Sequence, residues 1–487
     1  MPLPDMNDPI PSCGADIDGR VNAIMSWYFW QDVGVHHVVL LGMAIYLLAW
    51  RATRRRSDNF DGEPVFAVIL GIATGNPRFR VSREQALRHA VNAVEPTSPV
   101  ARYLDRIYNN SRIDRRYFSV PDLGYEADEE HAEEVISATN GRPNVVIEQP
   151  RAFYPVSIFA RPRCVRACAV PFAPPPYGYS FKVPTDRRFQ RFRECALPLA
   201  TRVCKKVLQQ VGARPSSVGQ IVIVTSTGMG GDGFEKDLVK NIGLSETVKT
   251  ELVYFSGCGA GINGLRRASE YARTHPRRLA LLVSVELPSL HMHKGNDVNQ
   301  AILHAIFGDG CAAALIGGET SRTYKPGSLA VLDNRSWLLD GAEEGIKMIL
   351  GDNGVSCKLS KRLPDFVSAN VADFVEEMLG THGLTQGEID FWALHPGGHR
   401  IVEETRRSLG LSLEETEGCS GVLRDHGNMI SATVLFVLER ALAEHRRLRA
   451  SGKQGLQHVV ALSFSPGVYV EGLLLRALPA VHPSSFY

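Results

Sequence analysis

The sequence predicts an α/β fold with two core-forming halves, preceded by an N-terminal membrane-spanning helix. Buried-strand patterns alternate with helical patterns between residues 196 and 463, which favours a mostly parallel sheet with helices on both faces. The chain has 487 residues, more than one ordinary core accommodates, so two halves are expected. The expected membrane helix rests on an uncharged apolar stretch near the start of the chain.

The composition is that of a globular protein, with 44% hydrophobic and 22% charged residues. The net charge of +2 gives no global basic excess, so nucleic acid is not an expected partner. The nine cysteines are odd in number and irregularly spaced, which indicates free thiols in a reducing compartment. Only Cys164 and Cys168 have a spacing typical of zinc ligands, and a zinc site needs a second such pair, so no metal site is expected.

Residues 33–50 are the candidate membrane span because they contain no Asp, Glu, Lys or Arg. At about 1.5 Å per residue, a helix of this length covers most of a hydrocarbon core of about 30 Å. Aromatic residues precede the stretch and arginines follow it at 51–56, which predicts a single-pass protein with its C-terminal side in the cytosol, at the endoplasmic reticulum in a eukaryote. His36 and His37 oppose a span, so an amphipathic or buried helix remains the alternative.

Downstream, a strand is predicted from residue 64, and a helix at 82–94 has Ser82 as its N-cap. Residues 122–186 begin acidic and continue rich in proline and aromatic residues, which indicates an irregular surface insertion. The remaining predicted elements are strands at 217–227, 250–255, 279–285, 312–316, 391–394 and 459–463, and helices at 196–211, 262–274, 367–378, 400–408 and 429–443.

Cys258 is the candidate nucleophile. It lies in Ser-Gly-Cys-Gly-Ala-Gly at 256–261, where a predicted strand leads into a predicted helix. The positive end of the helix dipole favours a thiolate there, and the flanking glycines permit a sharp turn beside a substrate. A structural cysteine in a glycine-rich turn explains the same local sequence equally well.

Two polar residues of the second half occupy comparable positions. His395 ends a predicted strand in Leu-His-Pro-Gly-Gly, where it can pair with a thiolate or donate to an oxyanion. Asn428 precedes the apolar helix predicted to begin at Met429, so it can also be an N-cap. Either residue alone is weak evidence for a catalytic site.

Taken together, these segments resemble the chalcone and stilbene synthase family, the type III polyketide synthases of the thiolase superfamily. The order of Cys258, His395 and Asn428 matches that of thiolase-fold condensing enzymes. The likeness covers about residues 64–478 and breaks over the insertion. The other similar segments lie at 106–111, 115–117, 285–291, 306–310, 354–359, 363–365 and 463–467.

The resemblance implies a homodimer in which each chain forms a thiolase-like αβαβα sandwich of two pseudo-repeated halves. The first half would carry the cysteine nucleophile, and the second half would carry the histidine and the asparagine. The resulting divisions of the chain are a tail at 1–32, the span at 33–50, a basic linker at 51–63, and halves at 64–320 and 321–487.

The resemblance also implies an acyltransferase that condenses malonyl-CoA with an acyl-CoA starter. Cys258 would hold the acyl group as a thioester, and His395 would keep the thiol ionised through an ion pair. His395 and Asn428 would then bind the oxygen of the enolate that forms as malonyl-CoA loses CO₂. Repeated condensation would give a pyrone or a resorcinol. No cofactor is expected, because the CoA thioesters are substrates.

The resemblance also implies which residues contact the substrate and CoA. Cys357 replaces an expected gating aromatic, and this loss of bulk favours a long-chain fatty acyl starter, as does an anchor at a membrane. CoA phosphates are expected at Arg106, with Arg112, Arg115 or Arg116 compensating for lysines that are missing nearby. The implied substrate-binding residues are Ser226, Pro288, His291, Phe307 as a gate, Met348, Cys357, Ile430 and Gly467.

Two alternatives remain open. A fatty-acid elongase of the 3-ketoacyl-CoA synthase type shares the order of the three residues and an N-terminal anchor, but it lacks the segments at 306–310 and 463–467 and performs a single condensation. A non-catalytic membrane scaffold of the same fold would have no need of all three catalytic side chains, and their presence argues against it.

Overall fold

The computed structural model describes residues 64–478, apart from residue 95 and the segments 121–125, 128–182, 230–232, 293–296, 321–322 and 324–326. The tail, span and linker expected at 1–63 and most of the insertion expected at 122–186 lie outside the described residues. Among the residues that are described, no helix has both the length and the apolar character needed to cross a membrane.

The elements alternate along the chain, as expected. The strands are β1 (Phe66–Gly75), β2 (Phe79–Ser82), β3 (Arg115–Phe118), β4 (Glu126–Ala127), β5 (Val218–Thr225), β6 (Lys249–Tyr254), β7 (Leu279–Glu286), β8 (Gly310–Glu319), β9 (Leu329–Leu338), β10 (Ile346–Gly351), β11 (Gly354–Leu359), β12 (Phe391–Leu394), β13 (His458–Ser465) and β14 (Tyr469–Arg476). The α-helices are α1 (Arg83–Ala93), α2 (Leu104–Ser111), α3 (Thr185–Val211), α4 (Phe234–Ile242), α5 (Ala260–Thr274), α6 (Val298–Ile306), α7 (Leu363–Gly380), α8 (His399–Ser408), α9 (Glu417–His426) and α10 (Thr433–Ala450).

Nine strands form one mixed sheet in the order β12-β13-β14-β9-β1-β8-β7-β5-β6. Only three neighbouring pairs, β12–β13, β5–β6 and β5–β7, are parallel. The expectation of a mostly parallel sheet is therefore wrong. Continuous apolar runs predict that a strand is buried, but they contain no information on its direction.

The sheet contains one strand pattern twice. The series β1-β8-β7-β5 and the series β9-β14-β13-β12 both pair as antiparallel, antiparallel and parallel. The two series meet where Val68 and Ile69 of β1 pair with Ala330 and Leu329 of β9. Each half of the molecule thus has its own copy of a four-strand arrangement, as the resemblance implied.

Two central helices, α5 and α10, contact each other and strands of both series. On the outside, α3 packs on β1, β7 and β8, and α7 packs on β9 and β14. Small residues let α5 fit between the layers: a Cβ on Gly261 would lie 2.3 Å from the Ser431 carbonyl oxygen, and one on Gly264 would lie 2.6 Å from Leu282. Both strand series therefore pack on the same pair of central helices.

The ends of several elements differ from the prediction. The helix predicted at 196–211 begins earlier, at Thr185. The predicted start is too late because the first turns of the helix are rich in charged residues and Pro198 interrupts the apolar pattern. The helix predicted from Met429 begins at Thr433, after a 3₁₀ turn at Ile430–Ala432. The exposed hairpin β10–β11 was not predicted, since solvent-facing strands leave a weak apolar pattern. The strands β9 and β14 were not predicted either, although six of the eight residues of β14 are buried.

Candidate active site

Cys258 is half-buried in a 3₁₀ turn, Gly257–Gly259, between β6 and α5. Gly257 has a φ of 62°, and a Cβ there would lie 2.8 Å from Pro466, so only glycine fits this position. The Gly257 N–H donates to Ser226 Oγ at 3.1 Å, and the Cys258 carbonyl accepts from Ser463 Oγ at 2.9 Å. Both sides of the turn are therefore anchored, which fixes the direction of the thiol.

His395 follows β12, and its backbone N–H donates to the Leu462 carbonyl of β13 at 2.8 Å. The side chain is 2% exposed, and neither ring nitrogen has a hydrogen-bond partner among the described residues. Burial lowers the pKa of His395 to about 3. Because buried polar atoms are nearly always hydrogen-bonded, these nitrogens are expected to find partners in the substrate or in the thiol of Cys258.

Asn428 is held by hydrogen bonds at both ends of its amide. Oδ1 accepts from the Ile430 N–H at 2.8 Å and from Thr433 Oγ1 at 3.2 Å, while Nδ2 donates to the Gly397 carbonyl at 3.1 Å. The residue closes a turn on Ile430 and is not the N-cap of α10, which starts three residues beyond Ile430, at Thr433. Asn428 lines the cavity, and its side chain also hydrogen-bonds to the Cys258 thiol.

Cys258, His395 and Asn428 line one cavity with a volume of about 100 Å³. The first comes from one half of the fold and the other two come from the second half. Burial raises the pKa of the Cys258 thiol, Cys357 acts in the same direction, and a hydrogen bond from Asn428 lowers it. Burial alone thus disfavours a lone thiolate and a lone imidazolium, whereas transfer of a proton from the thiol to His395 creates two charges that stabilise each other.

Most of the substrate-binding residues implied by the resemblance lie on this cavity. Ser226 is an exception: it is fully buried, and its hydroxyl supports the turn at Gly257. Gly467 lies in the turn between β13 and β14, where a Cβ would come within 2.5 Å of the Tyr469 ring, and it is not among the lining residues. Those that line the cavity are Pro288, His291, Phe307, Met348, Cys357 and Ile430.

Much of the cavity wall was not predicted. One face of the hairpin β10–β11 supplies part of it, since Ile346 pairs with Leu359 and Met348 pairs with Cys357 across the two strands. The alternation of apolar residues at 346 and 348 is the signal that could have revealed this face. The other unpredicted lining residues include Thr227, Met292, Gln300, Leu303, His304, Val355, Ile401 and Phe464.

The arginines expected to bind CoA separate into two groups. Arg116 is 1% exposed, and its guanidinium donates to the carbonyls of His304 at 2.7 Å and Phe307 at 3.1 Å. It therefore supports the segment that carries Phe307 and is removed from the CoA-binding set. Arg106, Arg112 and Arg115 are exposed, as CoA binding requires.

A second cavity, of about 620 Å³, lies along α8 and α9. Arg112 and His399 line it, and burial together with the nearby Arg112 lowers the pKa of His399. Arg115 is not part of its lining and pairs instead with Asp425 at 3.1 Å. The remaining charged lining residues are Glu403, Arg406, Arg407, Glu417 and Arg424.

Comparison with known proteins agrees with this geometry. Residues 180–320 match the N-terminal domain of chalcone and stilbene synthases, and residues 333–479 match their C-terminal domain. The alpha-pyrone synthesis polyketide synthase-like protein Pks18 of Mycobacterium tuberculosis is 34% identical over 410 residues, which cover 84% of this chain and 90% of that protein. Type III polyketide synthase B of Arabidopsis thaliana is 29% identical over 297 residues, covering 60% of this chain and 76% of that protein.

A solved structure shows the same similarity. The crystal structure of PKS-I from the brown alga Ectocarpus siliculosus superposes with a TM-score of 0.72 at 39% identity, covering 85% of this chain and 99% of that one. Both family domains and most of the length of these relatives are thus represented in the sequence. The chain belongs to the chalcone and stilbene synthase family and is a type III polyketide synthase, an acyltransferase that condenses malonyl-CoA with loss of CO₂.

Proposed function

We propose that this synthase loads a long-chain fatty acyl group from CoA onto Cys258, extends it repeatedly with malonyl-CoA, and releases a pyrone or resorcinol-type polyketide. The observation that carries the proposal is the single, mainly apolar cavity shared by Cys258, His395 and Asn428. Apolar walls with a few convergent polar groups suit an alkyl chain held at one reactive end. The name of the Mycobacterium relative refers to alpha-pyrone synthesis, which supports a pyrone product.

In the proposed loading step, Cys258 Sγ attacks the thioester carbonyl carbon of the acyl-CoA. The thiol proton passes to His395, and the departing CoA sulfur takes it up, which leaves an acyl-Cys258 thioester and free CoA. His395 suits this transfer because its ring nitrogens have no other partner among the described residues. Asn428 assists by hydrogen bonding to the sulfur, which lowers the pKa of Cys258 against the effect of burial.

In the proposed condensation step, the bond between the carboxylate and the methylene carbon of malonyl-CoA breaks and CO₂ leaves. The electron pair forms an enolate, whose oxygen accepts hydrogen bonds from His395 and from Asn428 Nδ2. The enolate carbon then attacks the acyl-Cys258 thioester carbonyl, forming a carbon–carbon bond while the carbon–sulfur bond breaks and Cys258 leaves as the thiolate. Loss of one preorganised donor of this kind costs roughly 10²–10³ in rate.

The preference for a long aliphatic starter is inferred from the hairpin wall. Met348 and Cys357 face each other across β10–β11, and both line the cavity. Two slender sulfur-containing side chains leave more room than aromatic rings, and they adapt to a flexible chain. Phe307 packs beside Ile113, Ile306 and Leu423, and Leu423 also lines the second cavity. This position supports a gate between the two cavities.

A chain-length assay tests this preference. The enzyme, Cys357→Phe and Cys357→Ala would each be given saturated acyl-CoAs of increasing length and an aromatic acyl-CoA, with malonyl-CoA and product identification by mass. We expect the phenylalanine to shift the preferred chain to shorter lengths and the alanine to leave it unchanged or longer. A strict preference for aromatic starters would contradict the long-chain proposal, and a product from a single condensation would contradict iteration.

The CoA phosphates are proposed to bind in the second cavity. Arg406 and Arg407 pair with Glu403 at 2.9 and 3.0 Å, and Arg424 pairs with Glu417 at 2.9 Å. Arg112, in contrast, has no ion pair among the described residues, and it lies on the same cavity. A cation without a protein counterion is the better candidate for a phosphate.

A homodimer and attachment to a membrane through residues 33–50 complete the proposal. Fractionation of the full chain, compared with a Leu40→Lys, Leu47→Lys variant, tests the attachment, because lysines in a membrane span are costly. We expect the unmodified chain to sediment with membranes and the variant to be released. Recovery of both in the soluble fraction would contradict attachment, and sedimentation equilibrium of the detergent-solubilised protein tests the dimer.

A further inference from the structure

Glu286 is a buried carboxyl at the end of β7. It is 0% exposed, and no lysine or arginine pairs with it among the described residues. Its oxygens accept from the Ser226 N–H at 3.0 Å, from Thr227 Oγ1 at 2.8 Å and from the Ser431 hydroxyl. Burial raises the pKa of Glu286 to about 7. A carboxyl group is costly to bury, so its presence here points to a role in the active site.

One chain of hydrogen bonds leads from this carboxyl to the nucleophile turn. Glu286 accepts from the backbone N–H of Ser226, and Ser226 Oγ accepts from the backbone N–H of Gly257 at 3.1 Å. Gly257 immediately precedes Cys258 and has a positive φ. The orientation of the turn therefore depends on a side chain that itself depends on Glu286.

A second chain leads to the turn that carries the hydrogen-bond donor. The Ser431 hydroxyl donates to Glu286, and its oxygen lies 2.8 Å from Ser284 Oγ. Ser431 belongs to the 3₁₀ turn that directly follows Asn428 and Met429, and the amide of Asn428 is bonded to the first residue of that turn. The same carboxyl is thus bonded to segments that carry residues from the two halves of the site.

We propose that Glu286 is a positioning residue that holds the Cys258 turn and the Asn428 turn at a fixed separation during condensation. This inference rests on the proposed function, in which thioester and enolate meet between these residues. Glu286 is not among the residues that line the cavity, so it acts through Ser226 and Ser431. A displacement of about 1 Å between reacting groups costs roughly 10²-fold in rate.

Two substitutions separate positioning from other roles of the carboxyl. Glu286→Gln keeps the volume: its oxygen still accepts from Ser226, and its NH₂ donates to Ser431, whose hydroxyl hydrogen can turn to Ser284. Glu286→Ala removes every link. The titratable group of the nucleophile turn that interacts with Glu286 is Cys258, and the carboxylate raises the pKa of its thiol. Because glutamine is neutral, Glu286→Gln removes this effect and should not slow alkylation of Cys258.

The test is a steady-state analysis of purified full-length variants, with melting temperatures measured in parallel. We expect Glu286→Gln to retain kcat within about fivefold, and Glu286→Ala to lose about 100-fold in kcat with KM within about threefold. Ser226→Ala, which cuts only the link to Gly257, should lose about tenfold. The double variant Glu286→Ala, Ser226→Ala should be no slower than Glu286→Ala, because both act in one chain.

Asp309→Ala is the control for loss of stability. Asp309 is also 0% exposed and accepts backbone N–H bonds from Ser119 at 2.7 Å and Ser289 at 2.9 Å. It should lower the melting temperature as much as Glu286→Ala while the kcat of folded enzyme stays within about fivefold. Unchanged kcat in folded Glu286→Ala, or equal losses in the glutamine and alanine variants, would overturn the positioning role. An unmodified enzyme that makes no polyketide would instead refute the proposed function.

Discussion

The starts of the two central helices share a backbone plan and differ in chemistry. Both α5 and α10 follow a 3₁₀ turn whose first residue has a positive φ, 62° at Gly257 and 48° at Ile430. The first turn contains Cys258, and the second turn is preceded by Asn428. The duplicated halves thus present two equivalent helix starts to one cavity, with the thiol of Cys258 at one and the amide of Asn428 at the other.

The two turns also differ in the residue that adopts the positive φ, which is Gly257 in the first turn and Ile430 in the second. Glycine is required in the first turn, because Pro466 packs where a Cβ would lie. Isoleucine is tolerated in the second turn, although a β-branched residue in this region is strained by about 1–3 kcal/mol. Its N–H donates to Asn428 Oδ1, so the strained backbone serves to orient the amide. The same backbone turn is thus present in both halves, and the two turns differ in the side chains that they present to the cavity.

Cys258→Ala should have the largest effect, because it removes the proposed acyl carrier. Polyketide formation is expected to fall at least about 10³-fold. Decarboxylation of malonyl-CoA should persist, since its two donors belong to the other half. Release of CO₂ and of product, measured side by side, checks this separation. Polyketide formation at the unmodified rate would show that the thiol of another residue is used.

Asn428→Ala should reverse that pattern. Loss of the donor is expected to lower both decarboxylation and product formation by roughly 10²–10³-fold. Transfer of the acyl group to Cys258 should continue at a lower rate, because the hydrogen bond from Asn428 that lowers the pKa of the thiol is also lost. Rapid-quench detection of the acyl-enzyme, together with CO₂ release, measures the two steps. Decarboxylation that proceeds normally in this variant would exclude Asn428 as an enolate donor.

His395→Ala should change the pH dependence of thiol reactivity. Burial raises the pKa of Cys258, so an isolated thiol ionises only at alkaline pH, whereas the proposed transfer of its proton to His395 would make the thiol reactive at neutral pH. Labelling by iodoacetamide at pH 7 should fall at least about tenfold, and it should rise about tenfold per pH unit toward alkaline values. Cys357, whose pKa burial raises to about 12, should remain unlabelled in both proteins and serves as the internal control. Equal labelling at pH 7 would exclude the ion pair.

Arg112→Ala should have the smallest effect, because the residue is exposed and its proposed role is confined to contact with the CoA phosphates. We expect KM for both CoA substrates to rise about three- to tenfold, less at high salt, with kcat unchanged. Arg115→Ala is the matched control, since Arg115 is already paired with Asp425. A larger rise in KM for the Arg115 variant than for the Arg112 variant would relocate the phosphate site.

Local signals explain what could be predicted from the sequence. Ser82 with Gln85 forms the capping box that starts α1, and the strand–Cys258–helix and strand–His395 junctions lie where the apolar patterns end. These features depend on neighbouring residues, which the sequence displays directly. The sequence predicts all three candidate catalytic residues, because each lies at such a junction and because their order along the chain matches that of one family.

Features that depend on distant contacts could not be predicted. Arg116 looks like a surface cation in the sequence, but it lies over the Tyr108 ring, 5.5 Å from its centroid, and donates to carbonyls near residue 307. The family resemblance places Ser226 on the cavity, but its hydroxyl instead accepts a hydrogen bond from the Gly257 N–H, 31 residues away in the sequence. Strand direction and the hairpin wall likewise depend on pairing between segments that a linear pattern does not relate.

Mass spectrometry of the intact enzyme after incubation with a long-chain acyl-CoA tests whether Cys258 holds the acyl group. We expect one added acyl group per chain, located on Cys258 by peptide mapping, absent from Cys258→Ala and discharged as polyketide when malonyl-CoA is added. Absence of any adduct, or its location on Cys357 with Cys258 free, would exclude Cys258 as the acyl carrier.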